Sequence, residues 1–189
     1  MLKSWFNLNI DVSNSLNKDW VFETNRYITF AKPYEIFNSN WLEYMESLHL
    51  SIEKVIVFYR KKNDDSFENA HIDLGNRGET LLFALNWVYG GKGSKMIWYD
   101  FPDNFSIAGN IRSNEPRGKG GLYCAVPITD SLKIDEHVID TSPVLVRVGI
   151  PHRVEIGSEP RWCVSVRVTL PQNNWEDLIK DLQSKNLIS

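Results

Sequence analysis

The chain has 189 residues with 42% hydrophobic content, enough to bury one core, so a single domain is expected across 1–189 with its centre at 53–170. A net charge of -3, with no run of Lys or Arg interleaved with aromatics, argues against nucleic acid as the main partner. The opening MLKSWFNLNIDVSNS lacks a continuous apolar core and no later segment reaches the length of a membrane span, while Cys124 and Cys163 are too few for a disulfide framework or a Cys-rich zinc site; a cytoplasmic protein with buried thiols is expected.

In chain order, VFETNRYITF and EKVIVFYRK read as early strands. Between them NWLEYMESLHLS, at 40–51, spaces Trp41, Leu42, Met45, Leu48 and His49 as a helix does. Further strands are expected at 80–89, 95–99, 122–128, 144–148, 153–156 and 162–170. Residues 102–120 are polar and glycine-rich without periodicity, so they read as a long loop of the kind that often forms a lid. The run RGKGG at 117–121 lacks the pattern of a phosphate loop. Pro171 and Asn173 stop the last strand and open an amphipathic helix at 174–185 through Trp175, Leu178, Ile179 and Leu182. The expected class is mainly β (α+β), a two-sheet roll with flanking helices near 40–51 and 174–185.

His71, Ile72 and Asp73 spell His-x-Asp, and residues two apart on a strand share a face, so His71 and Asp73 can grip one ion. A third ligand must come from elsewhere, and His152 follows Pro151, which stiffens the approach. Two imidazoles and a carboxylate on one face of iron(II) leave positions open for a bidentate co-substrate and dioxygen. His-x-Asp alone means little, since four histidines and 24 acidic residues give about half an occurrence by chance. In RWCVSVRVT, Arg161, Cys163, Ser165, Arg167 and Thr169 share one face while Trp162, Val164, Val166 and Val168 share the other, so both arginines can point into a barrel. A guanidinium holds a carboxylate through two parallel hydrogen bonds.

The stretch HIDLGNRGETLLFALNWVYGGKGSKMIWYD resembles the 2-oxoglutarate- and Fe(II)-dependent dioxygenases, particularly the prolyl-hydroxylase-like and phytanoyl-hydroxylase-like branches. The likeness rests on Arg77, Thr80, Leu85, Asn86, Gly90 and Gly91 after the His-x-Asp turn, and on SPVLVRVGIPH delivering a second histidine. It covers roughly residues 68–170, and 101–141 departs from it. The resemblance implies a double-stranded β-helix (jelly roll, cupin-like), with His71, Asp73 and His152 as catalytic metal ligands. Fe(II), 2-oxoglutarate and O2 are the implied cofactor and co-substrates. Arg161 is the preferred partner for the far carboxylate of 2-oxoglutarate, Arg167 the alternative, and Asn86 stands either near the co-substrate or within the sheet's own hydrogen bonding. Neutral imidazoles are needed for ligation, so iron affinity is expected to fall as pH drops through the histidine range.

The implied activity is hydroxylation of an amino acid, peptide or other small metabolite, with succinate and CO2 released. A cupin-like isomerase or 2-oxoglutarate-independent dioxygenase would use histidines without needing Arg161. A non-catalytic jelly-roll binding module is the third reading. His49 and His137 read as structural or solvated, and Trp87, Tyr89, Trp98 and Tyr99 as core aromatics or substrate contacts.

Overall fold

β-Branched alternation such as Val164, Val166 and Val168 favours a pleated, half-buried surface, and these residues lie near the middle of a six-stranded antiparallel sheet. The computed structural model describes residues 3–10, 15–62, 69–75, 78–113, 122–139, 143–169 and 174–189. The first sheet runs in the order β1 (Trp5–Asn7), β10 (Val144–Arg147), β5 (Phe83–Gly90), β12 (Arg161–Thr169), β3 (Ser51–Arg60) and β2 (Ile28–Ala31). The second is β7 (Ile111–Ser113), β8 (Leu122–Val126), β4 (Ala70–Leu74), β11 (His152–Glu155), β6 (Lys95–Tyr99) and β9 (Lys133–Val138). All these pairings are antiparallel, so the described fold is mainly β.

From β3 onward the chain passes from the first sheet to the second and back: β3 and β5 belong to the first, β4 and β6 to the second, and β10, β11 and β12 alternate again. The period of two then gives every strand one face toward the other sheet. Ala84, Val144 and Val146 of the first sheet meet Met96 and Trp98 of the second in the gap, where the Trp98 indole donates to the Arg147 carbonyl at 2.7 Å. The opposite face of the first sheet carries Val57, Leu85, Trp87 and Val166 into a larger apolar cluster.

Helices cover that outer face. α1 (Lys18–Glu23), α2 (Pro33–Ile36), α3 (Ser39–Ser47) and α4 (Trp175–Ser184) contribute Val21, Ile36, Trp41, Met45, Leu178 and Leu182 to the cluster. Asparagine side chains at three N-caps, Asn17, Asn38 and Asn174, accept from Trp20, Trp41 and Asp177 backbone N–H groups and set where α1, α3 and α4 begin. Among the described residues no helix is long and apolar enough to cross a membrane.

Several expectations are corrected. VFETNRYITF is not one strand: Val21, Phe22 and Glu23 belong to α1 because the Asn17 cap starts a helix there, and pairing with β3 begins only at Ile28. The helix expected at 40–51 ends at Ser47, with His49 in the left-handed region at φ 59, and Ser51 already opens β3. The strand expected from 80 begins at Phe83, while Thr80 makes only an isolated bridge to Leu74. β1, α2 and β9 arise where no element was expected. The segment at 102–120 is not a bare loop: a 3-10 turn at Ala108–Asn110 leads into β7, which pairs with β8. Its Phe105 and Ile107 pack against Ile72 and Cys124 on the outer face of the second sheet, so the described part is a buttress rather than a lid. Arg77, the run at 117–121, the end of the last strand at 170, Pro171 and Asn173 lie outside the described residues.

Candidate metal centre and cationic cavity

On β4 the outward residues Ala70, Ile72 and Leu74 are buried in apolar clusters, and this fixes the register that turns His71 and Asp73 inward. β11 pairs beside β4 with His152 directly opposite His71, so the second imidazole arrives from the neighbouring strand. The two rings have centroids 4.5 Å apart, and His71 Nε2 lies 3.7 Å from Asp73 Oδ1. One donor atom from each of His71, Asp73 and His152 can be chosen so that all lie within 4.8 Å of one another. With bonds near 2.1 Å, two donors on one first-row dication stand at most about 4.2 Å apart, so His71 and Asp73 already meet that limit. His152 Nδ1 donates to the Ile150 carbonyl at 2.9 Å, which leaves the Nε2 lone pair for a metal.

Burial, followed by the neighbouring His152, pushes His71 down to about 3. Burial also lowers His152, against the opposing pull of Asp73 and the hydrogen bond to Ile150. Burial alone would raise Asp73, but Arg167 and the two histidines together hold it below its ordinary 3.8. At neutral pH the cluster is therefore two neutral imidazoles and a carboxylate, the protonation states that ligation requires. Proton competition for His71 moves below the ordinary histidine range.

The opposite wall comes from β12 and β5. Arg167, 4% exposed, donates to Asp73 Oδ2 and to the Ser165 hydroxyl, which in turn donates to Asn86 Oδ1. This chain ties both sheets together and holds the outer oxygen of Asp73, as an outer-shell partner of a metal ligand does. Arg161 is 3% exposed, with Cys163 beside it and Nε without a hydrogen-bond partner, and no carboxylate pairs with it among the described residues. Burying a guanidinium without an anion is costly, so its cavity-facing position is one a bound carboxylate would stabilise. The cavity has a volume of about 90 Å³.

No family model, no curated protein and no solved structure matches the chain.

All six residues singled out from the sequence, His71, Asp73, His152, Arg161, Arg167 and Asn86, line this one cavity. Their states differ: Arg167 is committed to Asp73, and the Asn86 carbonyl is taken by Ser165. Trp87, Tyr89, Trp98 and Tyr99 do not line it; Trp87 stacks edge-on to Trp41 and Phe37 in the outer cluster. His137 stacks flat on Trp5 with centroids 3.4 Å apart, outside the site. Ser165, Lys54, Arg60 and Tyr123 are lining residues that sequence reasoning did not assign. The alternation of KVIVFYR, which puts Lys54, Ile56, Phe58 and Arg60 on one face of β3, is the signal that carries two of them.

Proposed function

We propose that the chain is an Fe(II)- and 2-oxoglutarate-dependent dioxygenase built on a double-stranded β-helix, acting in the cytoplasm on an amino acid, peptide or other small metabolite. The fold part of this reading is supported by the strand order, β3-β12-β5-β10 against β4-β11-β6-β9, with the chain alternating between the sheets. The observation that carries the function is the pairing of a His-Asp-His cluster with a buried Arg161 that faces the same cavity and has no carboxylate of its own among the described residues. A structural metal site needs no such arginine, and neither does the cupin-like alternative.

When bound, Fe(II) with 2-oxoglutarate and dioxygen supplies the oxidation of a C–H bond to an alcohol, with succinate and CO2 as co-products. The residues themselves bind and orient. His71, Asp73 and His152 hold the metal, and Arg167 restrains the Asp73 carboxylate so that Oδ1 faces His71. Arg161 grips the far carboxylate of the co-substrate with the fork geometry that a lysine lacks. Asn86, its carbonyl engaged by Ser165, has its amide N–H groups to offer. Ile56, Phe58 and Met96 give the chamber apolar walls that keep water out.

Succinate formation should require both iron and 2-oxoglutarate and should be lost in Asp73→Asn. Arg161→Met should retain metal binding yet weaken 2-oxoglutarate by about 100-fold or more, the equivalent of two charge-assisted hydrogen bonds. Activity indifferent to 2-oxoglutarate and to Arg161→Met would support the cupin-like enzyme, and a chain that binds no metal would leave the binding module.

A further inference from the structure

We propose that the substrate carries an aliphatic or aromatic side chain, and that this group lies in a cleft with Ile28, Phe30, Ile56 and Phe58 on one wall and Tyr123 on the other. The inference rests on the function proposed above for the metal and the co-substrate, and on strand register and burial for the rest.

β2 pairs with β3 so that Ile28 stands opposite Phe58 and Phe30 opposite Ile56, and residues directly opposite on antiparallel strands share a face. Ile56 and Phe58 line the cavity, whereas Val55, Val57 and Ala31 turn to the helix-covered side. Ile28 and Phe30 therefore continue the cavity wall beyond β3. The second sheet is extended in the same way: β8 places Tyr123 opposite Asp73 and Ala125 opposite His71, while Cys124 between them packs outward with Ile72. The Tyr123 ring meets His71 edge-on, with centroids 6.1 Å apart.

Burial shows which way the cavity opens. On the first sheet Cys163 and Ser165 of β12 are buried, Phe58 of β3 is half-buried and Phe30 of β2 is 36% exposed. On the second sheet His152 of β11 is buried, whereas His71 of β4 and Tyr123 of β8 are half-buried. Both walls thus emerge from the interior in the order of their strands. Buried Arg161 lies on the closed side, and a co-substrate held there leaves the open side, beside His71 and Asp73, to the substrate. Adding β2 widens the apolar wall by one strand spacing, about 5 Å, and Ile28 to Phe30 covers about 7 Å along the strand, dimensions that suit one side chain. Lys54 and Arg60, which flank Ile56 and Phe58, are engaged within the protein: Arg60 lies over the Tyr27 ring at 3.0 Å, and Lys54 has Glu53, Asp73, Glu79 and Arg167 near enough to act on it. Neither is a reason for the substrate to be charged. The strip is continuous with the chamber of the metal donors, so its occupant is the molecule whose reacting carbon reaches them. Covering the exposed Phe30 ring removes apolar surface from water.

The test loads the chain with Mn(II), which does not turn over, and N-oxalylglycine, and then titrates the N-acetyl amides of leucine and phenylalanine against that of asparagine, a neutral molecule close to the leucine amide in shape. Calorimetric titration gives the affinity, and broadening of the probe's proton resonances by Mn(II) reports whether it sits beside the metal. An apolar amide should bind about tenfold or more tighter than the asparagine amide, and its resonances should broaden. Phe30→Ser and Tyr123→Ser should each remove most of that preference, while Phe101→Ser, at an exposed phenylalanine that does not line the cavity, should leave it intact. The thermal shift given by N-oxalylglycine should persist in all three variants, which shows that they are folded; exposed Phe30 decides the matter should Tyr123→Ser fail this control. The proposal is overturned if the apolar amides bind no tighter than the asparagine amide, absence of binding by all three included, or if Phe30→Ser keeps the preference. Self-association in sedimentation that Phe30→Ser abolishes without any change in probe binding would also overturn it, by making the cleft a contact between two copies of the chain. Should Mn(II) and N-oxalylglycine give no stabilisation, the dioxygenase reading is the one that fails. The same amides titrated on the metal-free chain then test the cleft alone, where absence of an apolar preference overturns this proposal as well.

Discussion

His71 and His152 trade solvation for metal readiness. In the unfolded chain a histidine takes up a proton near 6.5, whereas burial keeps folded His71 neutral down to about 3 and lowers His152 in the same direction. Between those values the unfolded state binds more protons than the folded one, so acidification favours unfolding. The metal-stripped protein should therefore lose stability as pH falls from 6.5, each buried histidine contributing up to about 1.4 kcal/mol per pH unit. Asp73 has the same sign and acts lower: held below 3.8 in the fold, it contributes stability that is lost as pH falls from 3.8 through its folded value. Urea midpoints of metal-free protein measured down the acid limb check this. A flat profile between pH 6.5 and the carboxylate range, or the same slope in His71→Gln, would contradict it.

At the scale of the element, the turn from β5 into β6 decides where Arg161 sits. Gly90 and Gly91 have φ of +67° and +70°, and the Gly91 N–H donates to the Pro160 carbonyl at 2.8 Å, which brings the turn against the first residue of β12. A Cβ on Gly91 would meet Cβ, Cγ and Cδ of Arg161 at 2.8 to 2.9 Å. Gly91→Ala therefore strains a left-handed position by about 1–2 kcal/mol and also displaces the guanidinium. Weaker 2-oxoglutarate binding with metal affinity unchanged is the expected outcome of a titration on that variant. If metal and co-substrate binding fell together, the turn would be acting on the fold rather than on Arg161.

For the whole molecule, the two faces of the first sheet have separate duties. One buries the helices in the large apolar cluster and the other lines the cavity, so stability and chemistry can be perturbed independently. Trp175 of α4 is buried in that cluster, lies 6.2 Å from Phe6 between ring centroids, and donates from its indole to the Lys3 carbonyl at 3.0 Å. The backbones of Asn7 and Ser189 exchange hydrogen bonds nearby, which fastens the C-terminal segment to β1. Trp175→Ala should cost roughly 3–5 kcal/mol in urea unfolding. Metal affinity of the remaining folded protein should stay as it was. A concurrent loss of metal affinity would mean that the two faces are coupled through the sheet.

What the sequence by itself determined is whatever depends on near neighbours. A period of two put His71 with Asp73, and Arg161 with Arg167, on common faces, and an apolar stripe marked the helix through Trp175, because those patterns lie within one element. Local composition misled where a single cap outweighed it: Asn17 makes a helix of residues whose side chains suit a strand. The polar stretch before β8 hid β7 because a three-residue edge strand carries almost no periodic signal. Only the tertiary structure decided which residues meet. Pairing of β11 beside β4 brings His152 to His71, packing of the two sheets commits Arg167 to Asp73 and leaves Arg161 facing the cavity, and the β3–β12 register sets Lys54 and Arg60 against those two arginines. These are contacts between segments far apart in the chain, fixed by strand order and register rather than by any local preference.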